Sequence, residues 1–191
     1  MDLVPTPSQT VGPFFHFCLT NDGSCVRCIA GARVRGERVW LKVRVLDGNG
    51  EAVPDAMIEI WQANSEGKYN HPDDVQQKTI EPDFLGFGRM STAENGICEF
   101  ETIKPGRVPG PGNVWQAPHL NMAVFGRGML RQLYTRIYFA GDAANQEDPV
   151  LALVPVDRRE TLMAHPDATG PGGWRCDVRL QGEGETVFFD V

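Results

Sequence analysis

The sequence predicts a mainly β protein, namely an antiparallel β-sandwich of mixed topology with long loops and one or two short helices. The first observation is a strand pattern, because apolar residues occupy every second position from Val39 to Val45. The second is the Asp-Gly-Asn-Gly run at 47–50, a strong turn signal that ends this strand. Many short strands separated by such turns are typical of a β-sandwich.

Further strands follow from the same alternation and from runs of β-branched and aromatic residues. The Gly-rich run at 181–184 also predicts a C-terminal hairpin, in which two strands are joined by that turn. In chain order, the additional strands are Ala56–Gln62, Ile97–Ile103, Leu120–Phe125, Leu133–Phe139 and the two hairpin strands Trp174–Leu180 and Glu185–Val191.

Two short segments have helical character. They are Pro149–Val154 and Asp157–Ala164. In the second, Asp157 is a suitable N-cap and Glu160 occupies the capping-box position three residues later. The rest of the chain is predicted to consist of strands and their connections.

Two connections are unusually long, Ala63–Gly88 and Lys104–Pro118. Structureless connections of this length are uncommon in a compact domain and are usually functional. The first holds Tyr69 and His71, and the second leads directly to His119. A functional site is therefore expected in these two loops.

The length and composition are those of an ordinary globular protein. A chain of 191 residues with 41% hydrophobic and 23% charged residues can bury one sizeable core, so we expect a single domain over 1–191, with 1–16 as an extended N-terminal arm. The net charge of -7 and the absence of a Lys/Arg cluster argue against a nucleic-acid partner. No segment has the length and composition of a membrane span or a secretion signal, so no membrane partner and a cytoplasmic location are expected.

The five cysteines do not form a disulfide framework, because their number is odd and their spacing irregular. Cys25 and Cys28 make a C-x-x-C motif, which can be half of a zinc site or a redox pair. Cys98 and Cys176 are isolated and supply no second pair. We therefore interpret the motif as incidental loop cysteines.

Four short motifs carry a resemblance to a known family: Ile58–Asn64, Gly67–Tyr69, Thr102–Gly106 and Trp115–His119. In order and approximate spacing they resemble the intradiol ring-cleavage dioxygenases. The similarity runs from about Pro7 to the C-terminus. The resemblance implies a β-sandwich of mixed topology, which agrees with the strand pattern.

The resemblance also implies four iron-ligand positions, because this family binds a ferric ion, Fe(3+), through two tyrosinates and a His-x-His pair. Carried over residue by residue, these positions fall on Tyr69, Val108, His119 and Asn121. Val108 has no donor atom and Asn121 offers only a neutral amide, so no metal is expected in this chain. Gln116 replaces the arginine that precedes Pro-Ala-His in catalytic members, which is expected to remove a charge beside the substrate.

Ordinary structural roles are the alternative for the two remaining ligand types. Tyr69 would then be a loop residue that packs its ring and exposes its hydroxyl, and His119 a hydrogen-bonded core histidine. If both are former ligand positions, Val108→Tyr with Asn121→His is expected to restore weak ferric binding. Adding Gln116→Arg is expected to improve activity more than affinity.

A chain without metal has an implied role as one subunit of a hetero-oligomer. A homologous beta subunit would hold Fe(3+) and cleave a dihydroxylated aromatic acid with O2, and this chain alone would contain no catalytic residue. Thr10, Gly12, Pro13 and Phe14 would form a stiff wall of the partner's cleft. Arg127 at its mouth would attract the anionic substrate. The alternatives are an arm that only stabilises the oligomer and an arginine in a surface ion pair.

Two other functions compete with the subunit hypothesis. One is a self-sufficient dioxygenase in which Tyr134 or His71 replaces the lost iron ligands. The other is a β-sandwich module that binds carbohydrate or protein, because a fold does not fix a function.

Overall fold

The computed structural model describes residues 9–12, 14–168 and 170–190, and confirms a mainly β protein with a large mixed sheet and few helices. The described residues form one short α-helix, α1 (His16–Leu19), and four 3-10 helices (Pro111–Asn113, Ala143–Glu147, Leu151–Leu153 and Val156–Leu162). The strands are β1 (Arg38–Leu46), β2 (Met57–Trp61), β3 (Phe87–Ser91), β4 (Ile97–Ile103), β5 (Val108–Pro109), β6 (Trp115–Gln116), β7 (His119–Phe125), β8 (Leu133–Phe139), β9 (Met163–Pro166) and β10 (Gly173–Arg179).

Eight strands make one sheet in the order β3-β2-β7-β8-β9-β10-β1-β4, and β5 pairs with β6 separately. The β1/β10 and β8/β9 pairs are parallel, whereas the other pairs are antiparallel. The alternating apolar residues of β1 point into the core, since Val39, Leu41, Val43 and Val45 are fully buried. They pack with buried residues of β2, β4, β7 and β10, which gives the sandwich its single main core.

The segment that contains the C-x-x-C motif connects the two edge strands of the sheet. Val26 N donates to Arg89 O of β3 at 2.7 Å, and Ile29 N donates to Glu101 O of β4 at 2.8 Å. The thiols of Cys25 and Cys28 donate to nearby backbone carbonyls. The segment therefore covers both sheet edges with its backbone, which explains its position without a metal.

The predicted C-terminal hairpin is wrong. The strand at Gly173–Arg179 exists, but it pairs with β1 and β9. After the Gly-rich turn, the chain makes one backbone bond to that strand, from Thr186 N to Arg179 O, and then crosses to β8, where Phe189 N donates to Tyr134 O. Within residues 185–190 no strand forms, because the chain leaves β10 after this bond and crosses to β8.

The predicted capping box at Asp157 and Glu160 is also wrong. The helix is a 3-10 helix whose N-cap is Pro155, with no side-chain cap bond, and it ends at Leu162. Met163 and Ala164 instead belong to β9 and pair with Tyr138 and Phe139 of β8.

Strand β3 begins at Phe87, within the last residues of the long loop that was predicted to continue to residue 88. None of the helices in the described ranges is long and apolar enough to cross a membrane.

Candidate functional site

The two long loops are fastened to each other by motif residues. Asn64 is fully buried, and its backbone oxygen accepts hydrogen bonds from Gly67 N at 3.0 Å and Gly106 N at 2.8 Å. Its side-chain Oδ1 accepts from Lys68 N at 2.9 Å. A Cβ on Gly67 would lie 1.8 Å from Arg107 O, so the loops touch backbone to backbone. The glycines of the motifs are therefore required by packing.

A second buried motif residue joins β2 to β4. Gln62 is fully buried, its Nε2 donates to Ile103 O at 3.0 Å, and its Oε1 accepts from Thr102 Oγ1 at 2.7 Å. Because all three groups are shielded from water, each bond avoids an unpaired buried polar group. The motifs that resemble the family thus build the frame around the former ligand positions.

Tyr69 and Asn121 are in direct contact. Asn121 Nδ2 donates to Tyr69 Oη at 3.1 Å, and the Tyr69 ring stacks on Trp61 with the ring centroids 6.0 Å apart. Burial raises the pKa of the Tyr69 phenol above its ordinary value, although the Asn121 bond and the charge of Arg136 lower it in part. Tyr69 is therefore a neutral, partnered phenol, and its hydroxyl is not simply exposed to solvent.

His119 lies two residues before Asn121 on β7, on the same face of the strand. Its ring is 3% exposed, and Nδ1 lies 2.7 Å from Ala117 O, so Nδ1 carries the proton. Nε2 is buried and has no hydrogen-bond partner in the described part of the chain. Burial, followed by the positive charge of Arg136, lowers the pKa of His119 to about 4. The imidazole is therefore neutral, with one unused acceptor.

Val108 is the last of the four former ligand positions. It is buried in β5, where it pairs with Gln116 of β6, and it lines a cavity of about 440 Å³ together with Tyr69. The structure thus brings Val108 beside Tyr69, and Tyr69 beside Asn121. The available side chains are a neutral phenol, one imidazole, an amide whose N–H faces the phenol and an aliphatic group, and this set does not fit a ferric ion.

The missing arginine has a substitute that the sequence analysis did not find. Arg136 of β8 donates from Nη1 to Gln116 Oε1 at 2.6 Å, and it pairs with Asn121 across the β7/β8 ladder. The loss of a charge beside the substrate at Gln116 stays a prediction, while the structure places the guanidinium of Arg136 against the Gln116 amide. The available signal was a single cation inside the apolar and aromatic run of Leu133–Phe139.

Asp148 is a buried anchor for this region and was also missed. It is 1% exposed, and Oδ2 accepts from Ala117 N at 2.7 Å, while Oδ1 accepts from Tyr138 Oη at 3.0 Å and Leu151 N at 2.7 Å. These bonds hold the residue that precedes the Pro118–His119 pair. A buried aspartate that follows Glu147 and precedes a proline has no sequence pattern that distinguishes it from a surface turn.

The N-terminal arm and the Arg127 turn lie together. Gly128 N donates to Thr10 Oγ1 at 2.9 Å, and Gly12 has a positive φ of 71° with open space around it. Phe14 is 70% exposed and stacks on Phe17, which is 62% exposed. Arg127 Nε lies 3.8 Å from Asp55 Oδ2. The predicted wall residue Pro13, like residues 1–8 of the arm, lies outside the described residues.

The two substitute ligands line different cavities. His71 lines the cavity that contains Tyr69, and its Nδ1 accepts from Asp73 N at 3.2 Å. Tyr134 lines a different cavity, of about 410 Å³, and its hydroxyl accepts from Gln132 Nε2 at 2.8 Å. The described residues also contain no group of three or more His, Cys, Asp or Glu that could hold a metal.

The β-sandwich, with Tyr69 beside the strand that carries His119 and Asn121, has the arrangement that the resemblance to ring-cleaving dioxygenases implies. The chain belongs to the intradiol ring-cleavage dioxygenase family, since a family model described as dioxygenase matches residues 11–182. Members of this family depend on non-haem iron.

Two relatives and one solved structure show the similarity in detail. The protocatechuate 3,4-dioxygenase alpha chain of Burkholderia cepacia is 43% identical, over 99% of this chain and 98% of its own length. The beta chain from the same organism is 33% identical, over 94% of this chain and 77% of its own length. The 3-chlorocatechol 1,2-dioxygenase of Rhodococcus opacus 1CP shares the fold, with a TM-score of 0.65 at 21% identity over 91% of this chain and 71% of its own.

Proposed function

We propose that this chain is the non-catalytic alpha subunit of a protocatechuate 3,4-dioxygenase and that it completes the active site of a homologous beta subunit. The observation that carries the proposal is the contrast between an intact frame and lost ligands. Gln62, Asn64 and the motif glycines build a closely packed frame, whereas Val108 has no donor atom and Asn121 offers only a neutral amide for iron. The 43% identity to an alpha chain over nearly the full length of both chains supports the same role.

The reaction of the complete enzyme would insert both atoms of O2 between the two hydroxylated carbons of protocatechuate, giving 3-carboxy-cis,cis-muconate. Fe(3+) in the beta subunit would bind the catecholate and prepare it for reaction with O2. The residues of this chain would form part of the cleft: Thr10, Gly12, Pro13 and Phe14 as a wall that excludes water, and Arg127 as a cation at the mouth. We place the enzyme in the cytoplasm.

The exposed aromatic pair supports contact with a partner. Phe14 and Phe17 stack at 5.7 Å between ring centroids and are both mostly exposed, which is costly for an isolated chain. The bond between Gly128 N and Thr10 Oγ1 attaches the arm to the Arg127 turn. A partner that covers Phe14 would therefore also lie close to Arg127, as a shared cleft requires.

Co-expression with a candidate beta chain tests the proposal. We expect the two chains to co-purify and only the complex to take up O2 with protocatechuate. The separated alpha chain should be colourless and contain no stoichiometric iron, because tyrosinate bound to ferric iron absorbs visible light. A red-brown alpha chain with its own iron would support the self-sufficient enzyme. Failure to bind any beta chain or to restore ring cleavage on mixing would support the binding module.

Replacing Arg127 tests its place at the mouth of the cleft. In the complex, Arg127→Ala is expected to raise KM for protocatechuate about fivefold, equivalent to about 1 kcal/mol, because a partly exposed charge acts mainly on substrate binding. The effect should disappear at high salt, and the iron content should not change. Steady-state kinetics at two ionic strengths measure both results.

Asp55→Asn is the matched control, because it removes the acidic neighbour of Arg127 and leaves the guanidinium in place. We expect KM to stay the same or fall slightly in this variant. An unchanged KM for Arg127→Ala at low ionic strength would place Arg127 outside the cleft. Loss of subunit assembly in that variant would assign it to the interface.

A further inference from the structure

We propose that the guanidinium of Arg136 replaces the charge of the metal at the former ligand position, and that it excludes a metal cation even when the missing ligands are restored. This inference concerns the chain's own side chains and does not depend on a beta subunit. The proposal explains how the site can lose its metal while the surrounding loops keep their packing. It also identifies Arg136 as a residue that controls metal binding although it is not one of the four ligand positions.

Arg136 is fixed among the strands that carry the ligand positions. It lies opposite Asn121 in the β7/β8 ladder, so their side chains share one face of the sheet. Its Nη1 donates to Gln116 Oε1 at 2.6 Å, and Gln116 pairs with Val108 in the β5/β6 ladder. The guanidinium is therefore held between two of the four positions by a short hydrogen bond and by strand register.

Arg136 also lies near the other two positions. Asn121, which lies opposite Arg136 in the ladder, donates to Tyr69 Oη at 3.1 Å, and His119 lies two residues from Asn121 on the same face of β7. A cation placed between Tyr69 and His119 would meet the same positive charge, and the repulsion grows with the charge of the ion.

Among the described residues no carboxylate forms a salt bridge with Arg136, although Glu59, Asp148 and Asp190 lie in its surroundings. The cavity of about 410 Å³ that Arg136 lines also contains Glu59 and Asp190. Glu59 binds Arg89 at 2.5 Å, and Asp190 lies 3.6 Å from Arg131. Arg136 itself donates to the neutral amide of Gln116. Asp148 is the buried carboxylate of this region, and its oxygens already accept from Ala117 N, Tyr138 Oη, Val150 N and Leu151 N. In the described part of the chain, the charge of Arg136 is therefore not neutralised by a direct ion pair.

Because Arg136 is hydrogen-bonded to Gln116, restoring metal binding requires a change at both residues and not at Gln116 alone. Gln116→Arg alone would place two guanidinium groups against each other, so it should destabilise the site instead of improving it. The reciprocal exchange, Gln116→Arg with Arg136→Gln, retains one arginine, one amide and a hydrogen bond between them. It moves the charge from β8 to β6.

The test compares two variants of the full chain, purified with any partner that it retains. One is Val108→Tyr with Asn121→His. The other adds the Gln116/Arg136 exchange, which leaves composition and net charge unchanged. After aerobic ferric loading, metal analysis and the visible tyrosinate band are measured relative to the unaltered protein. We expect no added iron in the first variant and about one added iron per chain in the second, with a visible band.

Equal added iron in the two variants would overturn the proposal, as would a folded second variant that takes up none. A tyrosine at position 108 adds bulk to a buried position and could prevent folding. A second pair of variants therefore leaves Val108 unchanged. Asn121→His is compared with Asn121→His plus Arg136→Gln, using Cu(2+) as the probe because imidazole and phenolate suit this ion. We expect at least tenfold tighter Cu(2+) binding when Arg136 is absent.

Arg136→Lys in the Asn121→His background separates charge from shape. The lysine keeps the positive charge but lacks the planar guanidinium. Weak Cu(2+) binding, like that of Asn121→His alone, is expected. If the lysine variant instead binds Cu(2+) as tightly as the Arg136→Gln variant, the charge is not what excludes the metal, and the proposal fails.

Discussion

Gly67→Ala is expected to destabilise the protein by about 3–5 kcal/mol and to separate the loop of Tyr69 from the loop of Val108. The backbone of Gly67 has a φ of 78°, in the left-handed region, which costs alanine about 1–2 kcal/mol. The added Cβ would lie 1.8 Å from Arg107 O and 2.9 Å from Arg107 C. Both are backbone atoms, so rotation of a side chain cannot relieve the overlap. Urea unfolding of the purified protein measures the loss.

Gly112→Ala is the matched control for this substitution. Gly112 has a similar φ of 69° but no atom within 4 Å of the ideal Cβ. Gly112→Ala should therefore lower the free energy of unfolding only by the cost of the left-handed backbone conformation, about 1 kcal/mol. A similar loss in the two variants would show that backbone conformation, and not the contact between the loops, makes glycine necessary at position 67.

Asp148→Ala is expected to cost about 4 kcal/mol, which lowers the melting temperature by about 10 °C in a chain of this size. The carboxylate accepts hydrogen bonds from Ala117 N, Tyr138 Oη, Val150 N and Leu151 N, at 2.7–3.0 Å. Alanine would leave these donors without an acceptor in a region closed to water. Loss of the Ala117 bond would also release the turn that precedes β7 and positions His119.

Two controls divide this effect into its parts. Asp148→Asn keeps one oxygen acceptor but turns an N–H group toward one of the donors, so about half of the loss is expected. Tyr138→Phe removes one hydrogen bond and should cost about 1–1.5 kcal/mol. Thermal unfolding of the three variants ranks their losses of stability. If Asp148→Ala loses no more than Tyr138→Phe, the carboxylate does not anchor the backbone around Ala117.

The strands were predictable wherever a local pattern determined them. Ile97–Ile103 and Leu133–Phe139 have the predicted bounds, since alternation and β-branched residues depend only on neighbours in sequence. Strand pairing was not predictable in the same way. The Gly-rich run at 181–184 resembles a hairpin turn, but β10 pairs with β1, more than a hundred residues earlier. No local signal contains this information.

The site could be predicted only as far as the motifs extend. The motifs located Tyr69, Val108, His119 and Asn121, and the structure brings Tyr69 into contact with Asn121. Arg136 was missed because its role depends on the register between β7 and β8, which places it opposite Asn121. A motif describes neighbours along the chain, whereas the contact between Arg136 and Gln116 joins residues of two strands.

The position of β1 between β4 and β10 affects how the newly made chain can fold. Synthesis supplies β4 soon after β1, whereas β10 at Gly173–Arg179 is made more than a hundred residues after β1. Until then, one hydrogen-bonding edge of the buried strand β1 stays open and can pair with another nascent chain. Contacts this distant in sequence also slow folding. The growing polypeptide therefore exposes this edge, with a risk of aggregation, until β10 has been made.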